Sequence, residues 1–187
     1  MPSLRRRRCV HGLGIYIDTD LSMRSHVQQT VARCFAVLRQ LRSIRRSVPT
    51  SIFQTLVVVL VLSKLNYGNA TLVGLPVNLL NRLQSVLNAA ARSIADLRRS
   101  AHITDTLASF HWLRAPERIK FKLAVIVHRA LHGTAPRYLS DWLSRVAYMP
   151  SQNRLRSSTS NQLTVRPSRL VSCHSWRTII CFAGPKL

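Results

Sequence analysis

The chain has 187 residues, and its 28 Lys and Arg stand against 6 Asp and Glu, for a formal net charge of +22 and a pI near 11.8. That length suits one domain with its own core, or a helical lobe of something larger. The four cysteines (Cys9, Cys34, Cys173 and Cys181) form no CxxC pair and read neither as a zinc site nor as a disulfide framework. A folded chain this basic repels itself unless an anionic partner is near, so nucleic acid is the leading partner. Nearly all the positive charge is arginine, the lysines being Lys64, Lys120, Lys122 and Lys186, and the planar guanidinium matches phosphate oxygens. The plainer reading is that these arginines are solvated faces.

The first residues carry the run Arg5 to Arg8 and no apolar stretch of a secretory signal follows; a nuclear or cytoplasmic location is expected. The run fits an RNA-contacting patch or a solvated end. From Gly12 to Met23, Leu13, Ile15 and Ile17 alternate with Gly14, Tyr16 and Asp18, which predicts a short strand and then a turn at Asp18-Thr19-Asp20. Asp18 and Asp20 share a strand face as a metal pair would. No third carboxylate stands near them, and aspartate is a turn former, so the turn is the expected role. Ser25 to Arg46 sets Val27, Val31, Phe35, Leu38 and Leu41 on one side and Arg33, Arg39, Arg42, Arg45 and Arg46 around the rest, an amphipathic helix with a basic back. Cys34 falls on its apolar face.

Ser51 to Asn66 holds seven consecutive apolar residues, Leu56 to Leu62, too few to span a bilayer. Composition argues for a buried strand and length for a fully buried central helix. Pro76 to Arg99 reads as a helix with a broad stripe that includes Leu79, Leu83, Val86, Leu87 and Ala90, and with Arg98 and Arg99 at an end that suits positive charge.

The stretch from His102 to Leu143 is punctuated most clearly. A short amphipathic segment, Ile103 to Phe110, turns at Trp112-Leu113 into a helix that opens on Pro116 and Glu117. Proline is tolerated there because its missing amide would be unbonded anyway, and the glutamate suits the helix dipole. Ile119, Leu123, Ile126, Val127, Ala130 and Leu131 form its apolar face; Gly133 ends it and Pro136 blocks continuation. Tyr138, Leu139, Trp142 and Leu143 make a further short apolar face. Trp112 and Trp142, each beside a leucine, read as core rather than as base-stacking platforms. His128 and His132 stand at i and i+4 without the glutamate or third ligand of a zinc motif, and read as a polar helix flank. Residues 150 to 169 are polar, rich in Ser and Arg and without period; beyond and within them Leu163 to Val165 and Thr178 to Phe182 are short strand candidates.

Several of these segments resemble the region downstream of the polymerase domain in LINE-type non-LTR retrotransposon reverse transcriptases. His111-Trp112-Leu113, Arg118-Ile119-Lys120-Phe121-Lys122-Leu123 and Thr134-Ala135-Pro136-Arg137-Tyr138-Leu139 are similar in order and spacing to that family's corner, basic helix and turn, except that Arg114 stands where the family has proline. Leu13-Gly14-Ile15-Tyr16-Ile17-Asp18 with Leu21 and His26, and Leu65-Asn66-Tyr67-Gly68-Asn69-Ala70, are similar to two earlier segments. Ala183-Gly184-Pro185-Lys186-Leu187 is similar to the family's tail as far as its tryptophan. The resemblance spans roughly residues 12 to 187, and position within it favours a helix for Ser51 to Asn66.

The expected architecture is all-α: a bundle of about five amphipathic helices, preceded by a short strand and turn and followed by an irregular tail. The divisions are a basic N-terminus (1–23), a helical thumb-like domain (24–144) and a polar linker and tail (145–187). The resemblance implies descent from an RNA-directed DNA polymerase. The Tyr-x-Asp-Asp motif of its palm is absent from this sequence, and two-metal phosphoryl transfer needs such carboxylates. The expectation is therefore a non-catalytic segment that holds RNA or an RNA–DNA duplex through Arg33, Arg39, Arg42, Arg45, Arg46, Arg118, Lys120 and Lys122, with no cofactor, no metal, no small-molecule substrate and no membrane span. The alternatives are an inactive remnant of a decayed element and a helical module that meets an acidic protein or membrane.

Overall fold

The computed structural model describes residues 9–98, 100–141, 143–145 and 163–165. The arginine run at 5–8, Arg99, Trp142 and the tail at 146–162 and 166–187, with its Thr178 to Phe182 segment, lie outside the described residues. The chain divides into two compact units, Met1–Arg118 and Ile119–Leu187.

The first unit opens with a hairpin rather than the single strand expected. β1 (Cys9–Gly12) pairs antiparallel with β2 (Ile15–Asp18), Val10 opposite Ile17 and His11 opposite Tyr16. The loop is Leu13-Gly14, with φ of 49° and 77°. Two left-handed residues make the tight turn whose twist suits antiparallel strands, and leucine in place of the usual asparagine hides the signal. The turn after β2 forms as expected, with the Leu21 amide donating to the Asp18 carbonyl (2.9 Å).

Helix α1 (Arg24–Ile44) follows and ends in a 3-10 turn, Arg45–Ser47. Its start is capped from a distance. The Asp18 carboxylate accepts from the Ser25 amide (2.9 Å) and the Ser22 hydroxyl (3.2 Å). Val27, Cys34, Leu38 and Leu41 are buried along one side, with Val31 and Phe35 half-buried beside them.

Ser51 to Asn66 is helical, but not regular and not fully buried. α2 (Thr50–Val57) widens into a π turn at Val58–Leu62 and returns to α-helix as α3 (Ser63–Asn66). The Ser63 amide reaches back to the Val58 carbonyl, five residues away. Phe53, Val57, Val61 and Leu65 are all buried. Four-residue spacing kept over three steps would walk about 120° round a regular helix, and the wide turn takes back much of that drift. The other side stays in water: Val59 is 57% exposed and Ile52 53%. The expectation of a fully buried segment failed because an apolar run longer than the core needs looks the same in sequence as one the core surrounds.

After the Gly68 turn (φ 70°) and a 3-10 turn at Asn69–Leu72, α4 (Val77–Ala95) lays its stripe against α1. Leu79, Leu83, Val86, Leu87, Ala90 and Ile94 are buried. It stops at Asp96, which takes the left-handed cap conformation (φ 52°), so Arg98 lies past the helix rather than in its last turn. Among the described residues of this unit, Phe53, Leu38, Leu72, Leu87 and Val86 are the centre of the core. α5 (Thr104–Ser109) closes on His111, again left-handed, and the Trp112 ring lies 5.5 Å from Phe110.

α6 runs Ala115–Leu131. Pro116 is its second residue, one later than expected, and still within the first turn whose amides lack helical partners. Two of the exposed donors there are satisfied by side chains: Glu117 accepts from the Arg114 amide (2.9 Å), and Gln84 of α4 accepts from the Ala115 amide (2.8 Å). In the second unit, Ile119, Leu123 and Ala130 are the buried positions of α6, and Gly133 (φ 70°) ends it. α7 (Arg137–Ser140) follows Pro136, with Tyr138 exposed. Leu163–Val165 is a strand, and it has the partner that its sequence did not reveal, pairing antiparallel with Leu143–Arg145. No helix among the described residues is long and apolar enough to cross a membrane.

The Asp18 cap gives a prediction. Burial alone would raise the Asp18 carboxyl, but hydrogen bonds from Ser25, Ser22 and Arg24 outweigh it and hold the pKa below its ordinary value. A carboxyl lowered on folding stabilises above its unfolded pKa, about 4, and that contribution is lost as pH falls through the native value. Asp18→Ala should cost about 1–2 kcal/mol in denaturant unfolding at pH 7, and the gap from wild type should close as the pH falls below about 4.

Candidate nucleic-acid interface

α1 and the 3-10 turn that ends it carry five of the eight expected contact residues, three and two, and helical geometry sorts them. Arg39, Arg42 and Arg46 are three, four and seven residues apart and so share one face. All three are exposed. Arg33 is nine residues before Arg42, about two and a half turns, and points the other way. There it is tied to the hairpin: its Nη2 donates to the Tyr16 hydroxyl (2.7 Å), and its guanidinium lies 5.5 Å from the Tyr16 ring centre. Beneath them His26 is buried and accepts from the Tyr16 amide (3.4 Å). Burial, and then the charge of Arg33, lower the His26 pKa, against a smaller opposing effect of Asp18.

Arg45 is half-buried, at the corner where α1 meets α2 and α4. Its guanidinium sits 4.8 Å from the Phe53 ring centre, and Nη2 donates to the Ile94 carbonyl (3.3 Å) and to the Thr50 hydroxyl (3.4 Å). A cation on the last carbonyls of α4 is favoured by the helix dipole, so Arg45 clips three helices together.

Arg118 is also occupied. Its Nη1 donates to Asn66 Oδ1 (2.9 Å) and its Nε to the Leu113 carbonyl (2.8 Å). Burial lowers the pKa of the guanidinium, the direction expected of a cation removed from water. Lys120 and Lys122 are exposed on α6; two residues apart, they stand about 200° from each other around the helix and make no shared row.

Sequence reasoning missed Arg92 and Ser93. With Arg42, Arg45 and Arg46 they line a cleft of about 790 Å³ between the C-terminal parts of α1 and α4. Nothing in sequence says that the end of α1 and its 3-10 turn bring three more arginines opposite Arg92. Among the described residues, four arginines line this cleft against one carboxylate, Asp96.

The other titratable groups considered from the sequence make local contacts. Asp18 and Asp20 each accept hydrogen bonds within their own turn. His128 and His132 stack with ring centres 4.0 Å apart, and His132 Nδ1 lies 2.8 Å from the His128 carbonyl. Among the described residues no group of three or more His, Cys, Asp or Glu is placed to hold a metal ion. Cys34 is buried beside the Val61 carbonyl (3.8 Å), and burial pushes its thiol up to about 11.

The division of the arginines is testable. Arg118→Gln should lower stability by about 0.5–1.5 kcal/mol, because it removes the charged donor to Leu113 and Asn66 at positions that water can reach, and should leave affinity for an RNA–DNA hybrid within about twofold; thermal unfolding and fluorescence anisotropy read the two effects. No family model matches this chain, and neither a curated protein nor a solved structure was found to match it.

Proposed function

We propose that the helical unit is a non-catalytic nucleic-acid-binding segment that holds RNA or an RNA–DNA duplex by its phosphates, in the manner expected of the segment downstream of the polymerase in LINE-type reverse transcriptases. The observation that carries the reading is the exposed row Arg39, Arg42 and Arg46 along the end of α1 and its 3-10 turn, continued by the arginine-lined cleft beside it. From Arg39 to Arg46 the row covers about 10 Å of helix axis, a length over which a DNA duplex carries about six charges. Phosphate contacts of this kind fix position and carry no base sequence, which suits a segment that must follow any template.

The resemblance adds support of a separate kind. Two of the segments that carry it, Leu13 to Asp18 and Leu65 to Ala70, meet in space. The Tyr67 hydroxyl donates to the Leu13 carbonyl (2.5 Å), and a side chain added at Gly68 would come within 3.1 Å of Ile15. Motifs some fifty residues apart therefore serve one corner. A second reading, a helical module that docks on a protein, is favoured by the exposed apolar residues Ile52, Val59 and Leu60 on the α2 side.

The test is the affinity of the full chain for an RNA–DNA hybrid across a salt series. Log K should fall linearly with log salt, and the triple variant Arg39→Gln, Arg42→Gln, Arg46→Gln should reduce the slope by about 3. A slope unchanged by the triple variant contradicts the assignment, and weak binding insensitive to salt contradicts the function.

A further inference from the structure

We propose that His26 is a proton-operated latch, independent of what the chain binds: while neutral it holds the β1–β2 hairpin on α1, and on protonation it releases it. In a two-residue hairpin the residues flanking the loop, here Gly12 and Ile15, bond to each other, and bonded and non-bonded pairs then alternate along the strands. The Tyr16 amide therefore points away from β1, out of the open edge of β2. An edge amide needs an acceptor from elsewhere, and here the acceptor is Nδ1 of His26 (3.4 Å).

An imidazole accepts at Nδ1 only while that nitrogen carries no proton. Three features oppose its gaining one. His26 is 4% exposed, so a charge there would be taken out of water. It is the third residue of α1, near the positive end of the helix dipole. Arg33, two turns along the same helix, brings its guanidinium to the Tyr16 hydroxyl. From β2, Asp18 favours the imidazolium, but its carboxylate already accepts from the Ser25 amide and the Ser22 hydroxyl. Tyr16 itself has its ring centre 6.5 Å from that of His26, and His11 of β1 lies against Tyr16 at 4.4 Å. α3, which also packs on α1, contributes Lys64, and Tyr67 follows it; both are exposed. Burial first, and then Arg33, outweigh Asp18 and hold the His26 pKa below its ordinary value.

Protonation sets a second N–H against the Tyr16 amide, so two donors face each other where a bond was. It also places a cation beside Arg33, whose bond to the Tyr16 hydroxyl is another tie between hairpin and helix. Both ties run through Tyr16. A two-stranded hairpin is marginal on its own in water, and Val10 and Leu13 of this one stay in solvent, so its order depends on being held. The released His26 takes its ordinary pKa, about 6.5. A histidine whose pKa is lowered in the closed state stabilises closure above that pH, and the stabilisation is lost as pH falls towards the closed-state value.

The experiment follows hydrogen exchange of the amides from Cys9 to Asp18 in the full chain by NMR, corrected for intrinsic rate, from about pH 7.5 to about pH 5, with the histidine ring signals in the same samples. The opening equilibrium of the hairpin should rise below about pH 6.5, toward tenfold per pH unit, while the α4 amides from Leu83 to Ala91 keep their protection. Asp18, held below its ordinary value, stays ionised across this window. His26→Asn offers an oxygen in place of Nδ1 and gains no proton in this range, so its hairpin should stay closed throughout. His11→Gln removes the hairpin's own histidine and should keep the wild-type pH dependence. Hairpin protection indifferent to pH, or the same pH dependence in His26→Asn, overturns the latch. Where His26→Asn does not fold, the wild-type ring decides: a His26 signal that titrates at or above about 6.5 overturns it, and one that titrates below, together with loss of hairpin protection, upholds it.

Discussion

The packing of α1 on α4 is the constraint on which the rest of the first unit depends. The buried side of α1 is narrow, with Val27, Cys34, Leu38 and Leu41 set at helical spacing, and α4 supplies the complementary stripe from Leu79 to Ile94. Once these faces meet, the arginines of α1 have nowhere to go but outward, and those at its end face the end of α4. Arg45 fastens the arrangement by covering the Phe53 ring and capping the α4 carbonyls at Ile94. A cation over an aromatic ring is worth about 0.5–2 kcal/mol, depending on how far it is desolvated, and the cap adds to it. The same residue therefore joins three helices and helps to shape the basic cleft.

The two ends of α1 do different work. At its start, Asp18 caps the helix and the Tyr16, His26 and Arg33 group ties the hairpin down. Positive charge there is absorbed by aromatic and hydroxyl partners. At its far end the charge accumulates, and opposing carboxylate is nearly absent. A chain at +22 pays a self-repulsion for that concentration, and an anionic partner relieves it. This local concentration favours an anionic partner more than the total charge does, since arginines scattered over all faces would give the same total.

Much of this was legible in the sequence because the helices carry their own punctuation. Apolar residues at three-and-four spacing predict α1, α4 and α6; Pro116, Glu117 and Gly133 mark where α6 begins and ends. The hairpin was half hidden because Leu13-Gly14 is an unusual pair for a left-handed turn. The π turn was hidden because Leu56 to Leu62 is apolar throughout and shows no period at all. The site was harder still. Periodicity places Arg39, Arg42 and Arg46 together, but which arginines remain available depends on acceptors far along the chain: Asn66 occupies Arg118, Tyr16 occupies Arg33, and Ile94 occupies part of Arg45.

The measurement that tests the account most directly is a map of the backbone amides that shift when an RNA–DNA hybrid is titrated into isotopically labelled chain. The account predicts that, within the first unit, the largest shifts run along the second half of α1 and its 3-10 turn, from Phe35 to Ser47, and across the end of α4 and the residues just past it, from Asn88 to Leu97. Shifts centred instead on the hairpin around Tyr16, or on the exposed apolar side at Ile52 to Leu60, would contradict it and move the functional surface to another face of the bundle.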